Sequence, residues 1–222
     1  MIDSFKHKGL RKQLIDLLRR KGIHDERVLQ AMESVPRHLF FESSFLSFAY
    51  EDKPFPIGAG QTISQPYTVA FQTELLDVGK GDKILEIGTG SGYQACILAQ
   101  MGGRVYSVER IKSLYLKAKA FLPTVACNNV KLFYGDGYKG LSSYAPFNKI
   151  LITAAAPYIP EMLVQQLTVG GILVVPLGSA DVQVMTRVIK TSEDSFKTED
   201  HGYFRFVPLL ENKEDDQGNH YH

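Results

Sequence analysis

Residues Ile84-Leu85-Glu86-Ile87-Gly88-Thr89-Gly90-Ser91-Gly92-Tyr93 carry a short apolar run through three glycines into a helical pattern. Glycine lets a chain turn tightly and approach a ligand closely, so this stretch reads as strand, cradle and helix start. Outward from it the same alternation repeats. Apolar, β-branched runs at residues 83–87, 104–108, 130–134, 148–153 and 172–175 alternate with helical segments beginning near Ser91, Ile111 and Pro160. Strands without a polar face are buried on both sides, which predicts an α/β fold with a doubly wound, mostly parallel sheet and right-handed crossovers. Beyond Pro176 the helical pattern stops, and residues 182–190, 195–201 and 203–210 predict antiparallel strands along one edge.

Upstream, Leu10, Leu14, Leu17 and Leu18 recur at helical spacing between Arg11, Lys12, Arg19 and Arg20. They predict an amphipathic helix over 6–21 that ends at Gly22, its basic side solvated. Asp25 caps a second helix over 26–35, which Pro36 stops. Residues 49–66 carry Pro54, Pro56, Gly58, Gly60 and Pro66 among apolar Phe55, Ile57 and Ile63. That mixture predicts a packed, shaped loop without a regular element, followed by a helix over 67–78. The expected organisation is an N-terminal helical extension and loop (1–78) packed as one unit with a core domain (79–210), then a flexible acidic tail (211–222).

The 222 residues include 44% hydrophobic and 22% charged side chains, the balance of a globular chain. Such a chain hides roughly 72% of its unfolded surface. Lys and Arg (25) balance Asp and Glu (24), leaving no field to gather a polyanion, so nucleic acid is not an expected partner. The basic residues Lys6, Lys8, Arg11 and Lys12 break any leader-like apolar stretch, and the run from Ile150 to Ile159 is too short to span a bilayer. Cys96 and Cys127 have neither CxxC spacing nor a disulfide framework, and predict buried free thiols in a reducing, cytoplasmic setting. His7, His24, His38 and His201 are scattered, and Glu211, Glu214, Asp215 and Asp216 lack calcium-loop spacing, so no metal is expected.

Two further signals stand in register with the glycine cradle. Glu109 ends the second strand, where an acidic side chain meets the two hydroxyls of a bound ribose, and Gly135-Asp136-Gly137 follows the third strand. Together they point to a nucleoside cofactor. A dinucleotide fingerprint needs a small residue where this chain has Tyr93, which argues against a nicotinamide coenzyme.

These residues resemble the S-adenosylmethionine-dependent methyltransferases, a Rossmann-like group. The resemblance implies that Glu86, Gly88, Thr89, Gly90, Ser91 and Gly92 sit under the methionine part, Glu109 on the ribose, and Asp136 with Gly137 at the adenine. After the fourth strand stands Thr153-Ala154-Ala155-Ala156-Pro157, not the Asp/Asn-Pro-Pro-aromatic stretch of nucleobase amino-methylating enzymes. A narrower resemblance lies in Tyr50-Glu51-Asp52, Pro54-Phe55-Pro56-Ile57-Gly58, Gln61-Thr62-Ile63-Ser64-Gln65-Pro66, the Gly92-Tyr93-Gln94 ending and Phe206-Val207-Pro208-Leu209. On these motifs the chain is similar to the protein-L-isoaspartate (D-aspartate) O-methyltransferases from Leu10 to Leu210.

That resemblance implies methyl transfer to the free α-carboxylate of L-isoaspartyl residues in damaged proteins and peptides, leaving S-adenosylhomocysteine; with no exposed apolar heptad or interface stripe in the sequence, a monomer is the default expectation. The ester then closes to a succinimide. It also implies that Ser64 aims the acceptor carboxylate and that Thr62 and Ile63 shape the same loop; Tyr67 and Gln94 are candidates for the pocket lining, with Tyr67, at a helix start, equally a packing residue. By spacing alone, Ser64 reads first as a local serine turn before Gln65-Pro66, and only the resemblance reverses that reading. Two other readings remain: a related methyltransferase for another carboxylate or a small molecule, and a non-catalytic module that keeps the cofactor fold.

Overall fold

The computed structural model describes residues 3–179 and 181–214. Helix α1 (Phe5–Arg20) starts where the Ser4 hydroxyl accepts the His7 N–H, and α2 (Glu26–Ser34) starts where the Asp25 carboxylate accepts the Arg27 N–H. Val35 is already extended, as the residue before a proline prefers. The loop expected over 49–66 contains a regular element after all. It is a two-stranded antiparallel hairpin of β1 (Phe55–Gly58) and β2 (Gln61–Ile63). Its turn, Gly58-Ala59-Gly60, is left-handed at all three residues. Pro56 is tolerated because a two-stranded ribbon has only edges. Helix α3 (Pro66–Leu76) follows, with proline at its first turn.

The large sheet has seven strands in the order β5-β4-β3-β6-β7-β8-β9. They are β3 (Lys83–Ile87), β4 (Arg104–Glu109), β5 (Val130–Tyr134), β6 (Phe147–Ile152), β7 (Leu167–Leu177), β8 (Gln183–Ser192) and β9 (Ser195–Phe204). The first five pair in parallel, and β7-β8-β9 pair antiparallel. Helices α4 (Tyr93–Gln100), α5 (Lys112–Phe121) and α6 (Glu161–Gln165) make the crossovers. Strand β7 is far longer than residues 172–175, because it also meets Phe147 through Leu167 beyond an irregularity in the β6 pairing.

Two expectations fail. Residues 203–210 are not a third antiparallel strand: β9 ends at Phe204. The chain then leaves the edge, and Pro208 forms a single parallel bridge with Ala155 in the loop after β6. The cysteines are not free thiols. Cys96 in α4 and Cys127 ahead of β5 are joined in a disulfide with Cα atoms 5.6 Å apart. Spacing could not reveal this, since the partners are 31 residues apart and meet only when α4 packs beside the end of α5.

Chain progression reverses at β3. Strands β4 and β5 build to one side, and β6 returns to the other. In open α/β sheets a crevice forms at the carboxyl ends of the strands flanking such a reversal, here β3 and β6. The N-terminal helices do not stand apart. A continuous apolar cluster runs from Leu14, Leu18 and Leu29 through Ile63 and Val69 to Tyr93, Ile97 and Leu122. On one face of the sheet Phe147, Leu163 and Leu85 form a second cluster, and on the opposite face Leu76, Ile84 and Leu98 form a third. Phe147 is fully enclosed, its ring edge-on to Tyr106 at 5.8 Å. Truncation of Phe147 to Ala is expected to cost about 3–5 kcal/mol, read as a lowered urea midpoint.

Candidate functional site

The crevice holds a cavity of about 630 Å³, a size suited to a nucleoside-sized ligand with room beside it. Its floor is the glycine turn. Gly88 has φ +98°, and a Cβ there would run into the Thr153 hydroxyl. That hydroxyl donates to the carbonyls of Ile87 (3.0 Å) and Gly88 (2.8 Å), tying the ends of β3 and β6 together. Gly92, at φ +84°, opens α4 against Leu122.

Glu109 stands at the end of β4, and its two oxygens accept the N–H groups of Gly90 (2.8 Å) and Ile111 (2.9 Å). A carboxylate has about four lone-pair directions, so two remain for hydroxyls in the cavity. Burial pushes its pKa up, and the Ile111 and Gly90 N–H groups pull it back. Behind this floor lies a second acid. Glu86 is completely buried, accepts the Ser107 hydroxyl, and through it touches Thr89. Burial pushes Glu86 up to about 8, opposed by Ser107 and aided by the charge of Glu109. It is mainly a neutral acid at pH 7.

One wall is the segment between β2 and α3. Thr62, Ile63, Ser64 and Tyr67 face the cavity. Ser64 is half-buried at this wall, and among the described residues its hydroxyl makes no hydrogen bond. Asp52 braces this segment from outside. Its oxygens accept the Tyr67 N–H at 2.8 Å, the Gln65 side-chain amide at 3.1 Å and the Lys21 ammonium at 2.6 Å. Gln94 closes the back. Its Nε2 donates to the Thr73 hydroxyl (2.9 Å), which itself donates to the Val69 carbonyl, so the amide orientation is fixed. The Gln94 Oε1 is left buried without a partner.

The roof is the chain leaving β9. Residues 202–210 line the cavity, held by Ala155 N–H to Val207 (2.8 Å), Leu209 N–H to Ala155 (2.7 Å) and Phe206 N–H to Gln183 (2.8 Å). The tail continues as a strap: the Asn212 N–H reaches Asp136 (3.2 Å) and Glu214 pairs with Arg110 at 2.6 Å. Residues 212–214 are thus engaged, while 215–222 lie outside the described residues.

The fold therefore brings Thr62, Ile63, Ser64, Gly88, Thr89, Gly90, Ser91, Glu109 and Gly137 to one cavity. Glu86, Gly92 and Asp136 do not line it. Glu86 lies beneath, Gly92 serves α4, and Asp136 accepts the N–H groups of Tyr138 and Asn212. Sequence reasoning missed the brace at Asp52, the roof at 202–205, and Arg37, whose guanidinium donates to the Ser64 carbonyl. Away from the cavity, Asp3, His7 and His38 offer three ligand atoms within 4.8 Å of one another, a grouping invisible in their spacing. Arg11 already holds the Asp3 carboxylate (3.2 and 2.9 Å), and the two imidazoles stack at 3.8 Å.

A glycine floor that a Cβ would block, spare lone pairs on Glu109 and an orphaned Gln94 oxygen fit a nucleoside carrying hydrogen-bond donors. Fold and cavity define an S-adenosylmethionine-dependent methyltransferase. The family model for protein-L-isoaspartate(D-aspartate) O-methyltransferase matches residues 9–214, and the chain belongs to that family. It is 55% identical over 213 residues to the protein-L-isoaspartate O-methyltransferase of Flavobacterium psychrophilum and 54% identical over 213 to that of Christiangramia forsetii. In both cases 96% of this chain and the whole relative are covered. A Plasmodium falciparum protein assigned as such an enzyme, solved in complex with S-adenosyl-L-homocysteine, superposes with a TM-score of 0.80 at 27% identity. The match covers 91% of this chain and 99% of that one.

Glu86 gives a pH signature. Its folded pKa lies above the unfolded value of 4.5, so the stability this group contributes is full below the ordinary carboxyl range and is lost as pH rises towards 8. Glu86→Gln is expected to flatten the fall of the urea midpoint between pH 5 and 8; an unchanged slope removes Glu86 as its source.

Proposed function

We propose that this chain transfers a methyl group from S-adenosylmethionine to the free α-carboxylate of L-isoaspartyl residues in damaged proteins and peptides, with Ser64 orienting the acceptor. The observation that carries the assignment of Ser64 is its place in the lining of the cavity that the glycine turn also lines, with no hydrogen bond to its hydroxyl among the described residues. The cofactor, when bound, supplies an electrophilic methyl group on a sulfonium. All other demands fall on the chain. A carboxylate is already ionised near neutral pH, so no general base is required. What is required is alignment and exclusion of water, because charge is neutralised on the way to the transition state.

The parts divide accordingly. Gly88, Thr89, Gly90, Ser91, Glu109 and Gly137 hold the cofactor, joined by Gln94; Glu86, Gly92 and Asp136 support that floor. Thr62, Ile63 and Ser64 hold the acceptor, and the roof covers both. The product ester closes to a succinimide, and hydrolysis returns part of the damage to aspartate. Residues 1–78 and 79–210 act as one unit, since the Ser64 wall belongs to the first and the floor to the second. The protein works as a monomer, in the cytoplasm and without nucleic acid. The paired cysteines lend that location no support, and no helix among the described residues is long and apolar enough to cross a membrane.

The test is transfer of labelled methyl to a short isoaspartyl peptide with its aspartyl twin alongside, scored as base-labile methanol. Label on the isoaspartyl peptide alone is expected; label on both, or only on another acceptor, favours a related carboxylate or small-molecule methyltransferase. Ser64→Ala is expected to lower kcat/KM about 100-fold, the scale of a lost alignment, while S-adenosylhomocysteine still raises the Tm. Full activity in that variant removes Ser64 from the mechanism.

A further inference from the structure

Arg37 is among the largest side chains fully enclosed by the fold, at 1% exposure. It sits in a short 3-10 turn, Arg37–Phe40, directly after α2 and Pro36. Its Nε donates to the Ala49 carbonyl at 3.1 Å and its Nη2 to the Ser64 carbonyl at 2.8 Å. The guanidinium lies 4.8 Å from the Tyr93 ring centroid and 5.4 Å from that of Phe41. Nη1 is buried without a hydrogen-bond acceptor, and no carboxylate among the described residues is in contact with the group. Burial lowers its pKa to about 10, with Tyr93 and Asp52 opposing the shift, so it is a cation at neutral pH.

An enclosed cation without a carboxylate partner is costly, and an apolar side chain of similar volume fills such a space more cheaply. Packing therefore does not account for it. What the planar fork does, and an apolar or point-charge side chain cannot, is hold two backbone carbonyls at fixed spacing. One of them belongs to the loop before the hairpin, the other to the residue facing the acceptor. Asp52 fixes the following turn, through Gln65 and Tyr67, but makes no bond to Ser64 itself.

We propose that Arg37 is a positioning residue for methyl transfer: by gripping the Ser64 carbonyl from beneath, it sets the direction of the Ser64 hydroxyl and hence of the acceptor carboxylate. It does not line the cavity and touches neither substrate. The proposal rests on the role given to Ser64 above.

The test is a double-mutant cycle in the full chain, using Arg37→Lys, Ser64→Ala and the pair, with an isoaspartyl peptide as acceptor. Lysine keeps the charge but cannot bond both carbonyls at once. Arg37→Lys is expected to lower kcat/KM about 10-fold or more with Ser64 present, and less than about threefold in the Ser64→Ala background. S-adenosylhomocysteine affinity, read by calorimetry, is expected to stay within about twofold, as the floor is untouched. Equal losses in both backgrounds, or affinity lost in step with activity, overturn the proposal. If Ser64→Ala is itself fully active, the role of Ser64 falls first, and that result is separate. Arg37→Gln, a planar donor without charge, guards against misfolding. If neither variant binds S-adenosylhomocysteine, Arg37 serves folding alone and the proposal fails.

Discussion

At Gly88 the main chain has to pass within reach of the Thr153 hydroxyl with no side chain between them. That close approach lets β3 and β6 end side by side where the strand order reverses, and the crevice exists only because they do. Glu109 depends on it, since its carboxylate bonds to the N–H of Gly90 inside the same turn. Thr153 depends on it from the other side. A floor built from backbone also explains why the walls can be supplied by distant stretches: the hairpin segment from the N-terminal part and the roof from the chain beyond β9.

The electrostatics of the cavity are those of a site that holds rather than one that shuttles protons. Glu109 has its oxygens committed to two N–H groups, Glu86 is buried and largely protonated, and Arg37 is a buried cation bonded to the Ser64 carbonyl. None is placed as a base. This suits a reaction whose nucleophile arrives ionised, and it puts the burden on how firmly the walls are held. Asp52 and Arg37 carry that burden on the Ser64 side through bonds to backbone and amide groups.

How much of this was legible in the sequence follows from the range of each interaction. Strands β3 and β5 were readable to the residue, because each is a short, mostly apolar run rich in strand-forming side chains between turn signals. The glycine turn, Glu109 and the Ser64 segment were readable as local motifs. The hairpin was not, because Pro56, Gly58 and Gly60 are strand breakers everywhere except in a two-stranded ribbon with a left-handed turn. Residues 203–210 read as a strand because they are mostly apolar after the helical pattern stops, yet only Tyr203 and Phe204 pair with the sheet edge, and Pro208 meets the loop after β6. The Cys96–Cys127 bond and the grip of Arg37 on Ser64 join positions with no periodic relation. Such contacts leave no trace in spacing, so the free thiols expected of the cysteines were wrong, and Arg37 passed as an ordinary residue after a helix.

The strap at residues 212–214 bears on how load along the chain is carried. Glu214 is tied to Arg110, next to Glu109, and Asn212 covers an oxygen of Asp136. A pull on residue 214 is therefore borne first by the contacts at Arg110 and Asp136, in the loops that follow β4 and β5, so load on this strap reaches the same ends of the strands that frame the crevice.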